Sequence, residues 1–133
     1  MTKDIIGDGL RKGGILMLLY VLVLSKIQLL EPLFERMMEK GIRGATVLES
    51  TGMMRVLSDD ENANLPMYGI LRQLYSPERQ QSRTVFVVLR EEQLPVLETL
   101  VDEVTGGLDH PDTGIAFAVP LTYLKGYDAH HAK

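Results

Sequence analysis

The chain has 133 residues, a formal net charge of −4 and an apolar share of 45%, values typical of one globular domain. The acidic balance argues against a dedicated nucleic-acid binder, which would carry a basic patch. The absence of cysteine excludes disulfides, cysteine-bound zinc and thiol catalysis. Nothing points to an extracellular address, and we expect a cytoplasmic location without a nucleic-acid partner.

The N-terminal residues 1–14 contain four glycines and no periodic apolar set, which predicts a mobile tail. We expect the folded domain to span residues 15–127 and to be followed by a second tail, residues 128–133. Basic residues precede the apolar run 15–24, so the run imitates a signal peptide. The run is too short to span a bilayer, and a strand buried on both faces explains it better. We therefore expect no direct membrane insertion.

The first half of the domain reads as strand, helix and strand. The first strand covers about residues 16–24, and a helix follows with Pro32 in its first turn, where the missing N–H is tolerated. Leu33, Phe34, Met37 and Met38 recur at helical spacing. Gly41 suits the end of this helix because glycine readily adopts a positive φ. The second strand covers about residues 45–50.

A long irregular region, residues 51–82, separates the two halves, and loops of this length in compact domains are usually functional or disordered. Within it, MYGILRQLY could form two helical turns that lie on the domain's own core or bind a partner.

The second half of the domain repeats the order strand, helix and strand. A third strand covers residues 84–89, and a helix begins near residues 91–92 with Pro95 in its first turn. Gly106 and Gly107 stop the helix, and a fourth strand covers residues 115–119. The order β-α-β-β-α-β predicts an α+β, ferredoxin-like sandwich with both helices on one face of an antiparallel sheet.

Two strands of this predicted sheet, the first and the third, are apolar on both faces, although helices would cover only one face. An uncovered apolar face of several hundred Å² is unusual on a soluble monomer. We therefore predict a homo-oligomer in which the open sheets meet.

No sequence motif of a catalytic site is present: G-x-S-x-G, H-E-x-x-H and the Walker A pattern are all missing. We therefore expect no enzymatic activity. Asp109, His110 and Asp112 are weak candidates for a metal site, because such clusters are more often solvated turns. Backbone amides near Gly52 and Gly106–Gly107, with Arg55 or Lys125 nearby, could cradle an anion.

The segment GIRGATVLESTGMMR, residues 41–55, resembles the part of PII-type nitrogen regulatory proteins that runs from the first helix into the T-loop. The residues that match the family pattern in register are Gly41, Ile42, Gly44, Thr46, Val47, Glu49, Gly52 and Arg55. The second half of the chain is also similar to that family. Its third strand, second helix and B-loop start are similar to VFVVLREEQLPVLETLVDEVTGG, and its fourth strand is similar to GIAFAVP.

This resemblance implies a trimer of ferredoxin-like subunits with an effector bound in the cleft between subunits. The implied effector is ATP, ADP or AMP, or another small metabolite, and no cofactor is required. The implied effector contacts are Thr46, Gly52, Arg55, Gly106, Gly107 and Lys125. Residues 51–82 would form a T-loop-like region that regulates a transporter or an enzyme.

The sequence departs from the PII pattern at the phosphate-binding positions. Ile115 falls about where the family's B-loop has a lysine, and Lys125 stands near the place of a C-terminal arginine pair. A second hypothesis is a metal-binding trimer resembling CutA, with ligands near Asp109, His110 and Asp112.

Overall fold

The computed structural model describes residues 3–6, 9–12, 15–53 and 81–127. The elements in chain order are β1 (Lys3–Ile6), β2 (Gly9–Lys12), β3 (Ile15–Leu24), α1 (Leu30–Glu39), β4 (Ala45–Thr51), β5 (Gln81–Arg90), α2 (Leu94–Thr105) and β6 (Gly114–Pro120). A single 3-10 turn precedes each helix, at Ile27–Leu29 and at Glu91–Gln93.

Four antiparallel strands form the body of the sheet in the order β6, β3, β5, β4. The central strand β3 pairs with β5 from Met17 to Leu24 and with β6 from Leu18 to Leu24. The predicted ferredoxin-like α+β fold is therefore confirmed.

The core lies between the two helices and one face of this sheet. Its fully buried side chains come from alternate positions of β3 and β5 and from one side of each helix: Leu22, Leu24, Val85, Val87, Leu89, Leu33, Met37, Leu97, Leu100 and Val101. The spacing of two in the strands and of three to four in the helices explains why one apolar layer forms. An ion pair between Arg36 of α1 and Glu103 of α2 links the helices at the surface.

Glycine ends both helices as the sequence predicts. Gly41 has φ 76° just after α1, and Gly106 has φ 80° as the C-cap of α2, where its N–H donates to the carbonyl of Asp102 at 2.9 Å. The start of α2 differs from the prediction, because Glu91–Gln93 form a 3-10 turn and the α-helix begins at Leu94. The Gln93 side chain caps this 3-10 turn by accepting a hydrogen bond from the Arg90 N–H at 2.9 Å.

The N-terminal segment contains two strands that the sequence did not predict. β1 and β2 form an antiparallel hairpin, and Arg11 and Lys12 of β2 stand opposite Leu16 and Ile15 of β3. The mobility predicted for residues 1–14 stays a prediction.

Most of the predicted T-loop-like region, residues 54–80, lies outside the described residues, as does the tail 128–133. The ends of the predicted loop are strand instead, because β4 runs to Thr51 and β5 begins at Gln81.

The face of the sheet away from the helices is apolar, as the sequence indicated, and we call it the open face. Val21 at its centre stands opposite Phe86 of β5 and Phe117 of β6. Large exposed side chains on this face are Leu48, Ile115, Phe117 and Val119, between 42% and 60% exposed. Val21 itself is buried, whereas these four side chains are in contact with water in the described part of the chain.

We expect Gly114→Ala to destabilise the fold by about 3 kcal/mol or more. Gly114 has φ 147°, and an added Cβ would lie 2.2 Å from the backbone oxygen of Val23, so β6 could not keep its register on β3. Urea unfolding followed by circular dichroism measures the effect. Gly52→Ala is the control, since no atom of the described residues lies within 4 Å of its added Cβ. Equal midpoints for the two variants would contradict this account of Gly114.

A second prediction concerns Tyr20, a core residue of β3 that is 3% exposed. Burial, with smaller contributions from Glu98 and Asp102, raises the pKa of Tyr20 to about 12. The unfolded chain loses this proton near pH 10, so the contribution of Tyr20 to stability is fully present below pH 10 and is lost as the pH rises to about 12. We expect Tyr20→Phe to flatten the fall of unfolding free energy across that window, as measured by urea titrations at several pH values. An unchanged slope would contradict the assignment.

Candidate functional site

A cavity of about 400 Å³ lies between the start of β4 and the segment that follows β6, and we call it the basic cavity. Its lining consists of Arg43, Gly44, Ala45, Thr46, Val88, Leu124, Lys125, Gly126 and Tyr127. The volume falls in the range of small-molecule sites.

The path of the chain after β6 builds one wall of this cavity. The N–H of Leu121 donates to the carbonyl of Met17 at 3.0 Å, which fixes the chain against the start of β3. Leu124 to Tyr127 then line the cavity together with residues of β4 and β5. Gly126 has φ 90°, a conformation that glycine adopts without strain.

Among the residues that the structure describes, the charged side chains lining the basic cavity have one sign. Arg43 and Lys125 are exposed there, and this described lining contains no Asp or Glu. Burial raises the pKa of Tyr127, and the nearby Arg90 guanidinium acts in the opposite direction. The exposed hydroxyl of Thr46 adds a hydrogen-bond donor, so the cavity suits an anion with several oxygen acceptors.

Of the six predicted effector contacts, two line the basic cavity together, namely Thr46 and Lys125. Gly52 lies at the other end of β4, about 20 Å from Thr46 at the usual rise per strand residue. Gly106 and Gly107 follow α2 and do not line the basic cavity. Arg55 lies outside the described residues.

Sequence reasoning missed Arg43 and Tyr127 as members of the cavity. Arg43 stands between two glycines of the segment that carries the resemblance, and this position was an available signal for a cation at the cavity. Tyr127 had no such signal, because its place depends on how the chain crosses the sheet after β6.

Hydroxyl groups join β4 and β5 at the point where the long loop leaves them. The Oγ atoms of Ser50 and Ser82 are 2.6 Å apart, and the Thr84 hydroxyl donates to Ser50 Oγ at 2.9 Å. Arg83 Nη2 lies 3.5 Å from Glu49 Oε1 across the same strands. These contacts hold the two ends of the loop together, so its base is a fixed part of the sheet.

The weak metal candidates lie in the turn between α2 and β6, and all three are exposed. Thr113 organises this turn by donating to the carbonyls of His110 at 2.7 Å and Leu108 at 3.2 Å. Among the residues that the structure describes, no group of three His, Asp or Glu side chains is placed to hold a metal ion. The metal hypothesis finds no support in this geometry.

The fold is similar to that of a solved PII protein. The crystal structure of Arabidopsis thaliana PII bound to citrate matches with a TM-score of 0.55 at 12% sequence identity, covering 80% of this chain and 78% of that one. No family model matches the sequence, and no curated protein matches it. The likeness at this level of identity shows a shared fold. No helix in the described part of the chain is long and apolar enough to cross a membrane.

Proposed function

We propose that this chain is a PII-like signalling protein that binds a small anionic effector in the basic cavity and regulates a partner protein through its long loop. The observation that carries the proposal is the cavity of about 400 Å³ whose lining, in the described part of the chain, contains Arg43 and Lys125 and no carboxylate. The PII neighbour is supportive, since its solved structure has the anion citrate bound.

The effector is a compact polyanion, either a polycarboxylate or an adenine nucleotide such as ATP, ADP or AMP. Arg43 presents a planar guanidinium that pairs with carboxylate or phosphate through two parallel hydrogen bonds. Lys125 adds a second positive charge, and the Thr46 hydroxyl donates to an oxygen or to a base edge. Two cations suit a ligand with two or three negative charges.

The proposed assembly is a homotrimer in which the open faces meet. In such a trimer, Gly52, Gly106 and Gly107 of one chain would approach the basic cavity of another, which would complete the effector site. Covering the open face removes apolar surface from water at about 25 cal/mol per Å². The regulated transporter or enzyme would contact the loop that begins after Gly52.

We expect citrate or an adenine nucleotide to bind the full chain in isothermal titration calorimetry. Arg43→Gln and Lys125→Gln should each weaken binding by about fivefold, because each removes one cation from a partly exposed site. Lys26→Gln is the matched control, since Lys26 is equally exposed and lies at the opposite end of the sheet.

The calorimetric comparison has two outcomes that contradict the proposal. One is the absence of heat and of any thermal shift with citrate, ATP, ADP and AMP. The other is an equal loss of affinity in the Lys26 control, which would assign the effect to net charge alone.

We expect light scattering after size-exclusion chromatography to give three times the chain mass of 14.9 kDa. The double variant Ile115→Glu/Val119→Glu should elute as a monomer, because it places two charges on the open face. Met38→Glu/Val96→Glu is the matched control, since these exposed side chains lie on the helices. A wild-type monomer at micromolar concentration, or a trimer that survives the open-face variant, would contradict the assembly.

A further inference from the structure

Arg90, the last residue of β5, holds a buried hydrogen-bond donor that has no acceptor in the described part of the chain. Its Nη1 atom lies 2.8 Å from Glu92 Oε1, whereas its Nε atom is buried and makes no hydrogen bond to the described residues. Most buried polar groups in proteins are paired, so an unpaired one calls for an explanation such as a functional role or a bound ion. The Nε–H of Arg90 is therefore a candidate contact for a ligand.

This donor lies beside the basic cavity. Arg90 follows Val88 by two residues on β5, so the two side chains share one face of the sheet, about 7 Å apart along the strand. Val88 and Tyr127 both line the cavity. Burial raises the pKa of Tyr127 and the Arg90 guanidinium opposes this rise, which makes the two side chains neighbours. Arg90 itself is not part of the lining, so its guanidinium lies behind the wall that Tyr127 forms.

The wall in front of Arg90 belongs to the segment that follows β6, residues 121–127. Leu121 is bonded to the carbonyl of Met17, and Met17 stands opposite Arg90 in the ladder between β3 and β5. The segment thus crosses from β6 past β3 to the end of β5. Gly126 precedes Tyr127 with φ 90°, and no atom of the described residues lies within 4 Å of the position that a Cβ would take there. Rotation about the Gly126 backbone can therefore move the Tyr127 side chain without a clash at Gly126.

We propose that the basic cavity takes a tricarboxylate and that Arg90 is the residue that recognises its third carboxylate. This inference rests on the proposed function and narrows its effector to one class. Arg43 and Lys125 pair with two of the carboxylates from the lining. The Tyr127 side chain turns aside, and the third carboxylate then accepts hydrogen bonds from the guanidinium of Arg90, including its Nε–H.

The number and separation of the cations favour this class over the alternatives. A dicarboxylate satisfies Arg43 and Lys125 and leaves the donor of Arg90 without an acceptor. AMP carries its charge on a single phosphate, which cannot contact three cations that come from three different segments of the chain. A tricarboxylate distributes three charges over three separate groups, as the cations are distributed.

The test compares two ligands that differ by one carboxylate. Tricarballylate and glutarate share the same five-carbon chain, and tricarballylate carries an additional carboxylate on the central carbon. Calorimetry with the full chain at pH 8 and constant ionic strength measures both affinities. We expect tricarballylate to bind about tenfold more tightly, because a hydrogen bond between two charged groups is added.

The preference for tricarballylate should depend on Arg90. Arg90→Gln should weaken tricarballylate binding by about tenfold and leave glutarate binding unchanged. Arg90→Lys keeps the charge and should restore part of the preference. Arg83→Gln is the matched control: Arg83 lies at the other end of β5, is ion-paired with Glu49 and is 24% exposed against 26% for Arg90. Thermal unfolding of each variant shows whether it folds.

A gain of affinity separates recognition by Arg90 from a purely structural role. Glu92→Gln removes the carboxylate that competes for the Arg90 guanidinium, so it should strengthen tricarballylate binding by about twofold and leave glutarate binding unchanged. Glu98→Gln is the control, since it removes an exposed carboxylate from α2 without touching this ion pair. A contact that only stabilised the fold would not tighten binding when it is broken.

Three results would overturn the inference while the proposed function stands. They are equal affinities of the wild type for the two ligands, an Arg90→Gln variant that keeps the preference, and tighter binding of ATP, ADP or AMP than of tricarballylate. Failure of every one of these anions to bind would overturn the inference and the proposed function together.

Discussion

The central strand β3 is apolar on both faces, and the rest of the structure depends on that constraint. Its ladders to β5 and β6 place it at the centre of the four-stranded body of the sheet. Side chains at even positions, from Leu18 to Leu24, are buried beneath α1 and α2. The odd positions cannot be covered by the same helices, so the fold carries its second apolar layer on the open face.

Two cavities with lining charges of opposite sign lie on a chain whose net charge is −4. The basic cavity lies beside β4 and is lined by Arg43 and Lys125, and a cavity of about 310 Å³ lies beside β6 and is lined by Glu98 and Asp102 among other residues. Each is close to an edge strand of the four-stranded body, where helix packing ends and side chains leave space. The core side chains between the helices and the sheet, by contrast, are almost completely buried.

Local patterns predicted the elements that depend on neighbouring residues. Continuous apolar runs located β3 and β5, and the helical spacing of apolar residues located both helices. Gly41 and Gly106 marked the helix ends because a positive φ is a local requirement. The 3-10 turn before α2 was missed, since it depends on one side chain, that of Gln93, reaching the backbone of Arg90. The strands β1 and β2 were missed because their sequence shows no alternating apolar pattern.

Two of the residues that line the basic cavity, Thr46 and Lys125, were among the effector contacts predicted from the sequence. Thr46 followed from the motif around Gly44, and Lys125 followed from its place near the expected basic positions. Tyr127 could not be predicted, because its place beside Ala45 in the lining of the basic cavity depends on the route of the chain over the end of the sheet. Contacts between residues so distant in sequence are set by the whole fold.

The distance along β4 has a mechanical consequence. Thr46 and Gly52 stand at opposite ends of one strand, and the hydroxyl groups of Ser50, Ser82 and Thr84 clamp its far end to β5. If the proposed effector binds at Thr46 and Lys125, it would touch no residue of this clamp. An effect of that effector on the loop would then require either a displacement of β4 as a whole or a direct contact between the effector and a neighbouring chain of the proposed trimer.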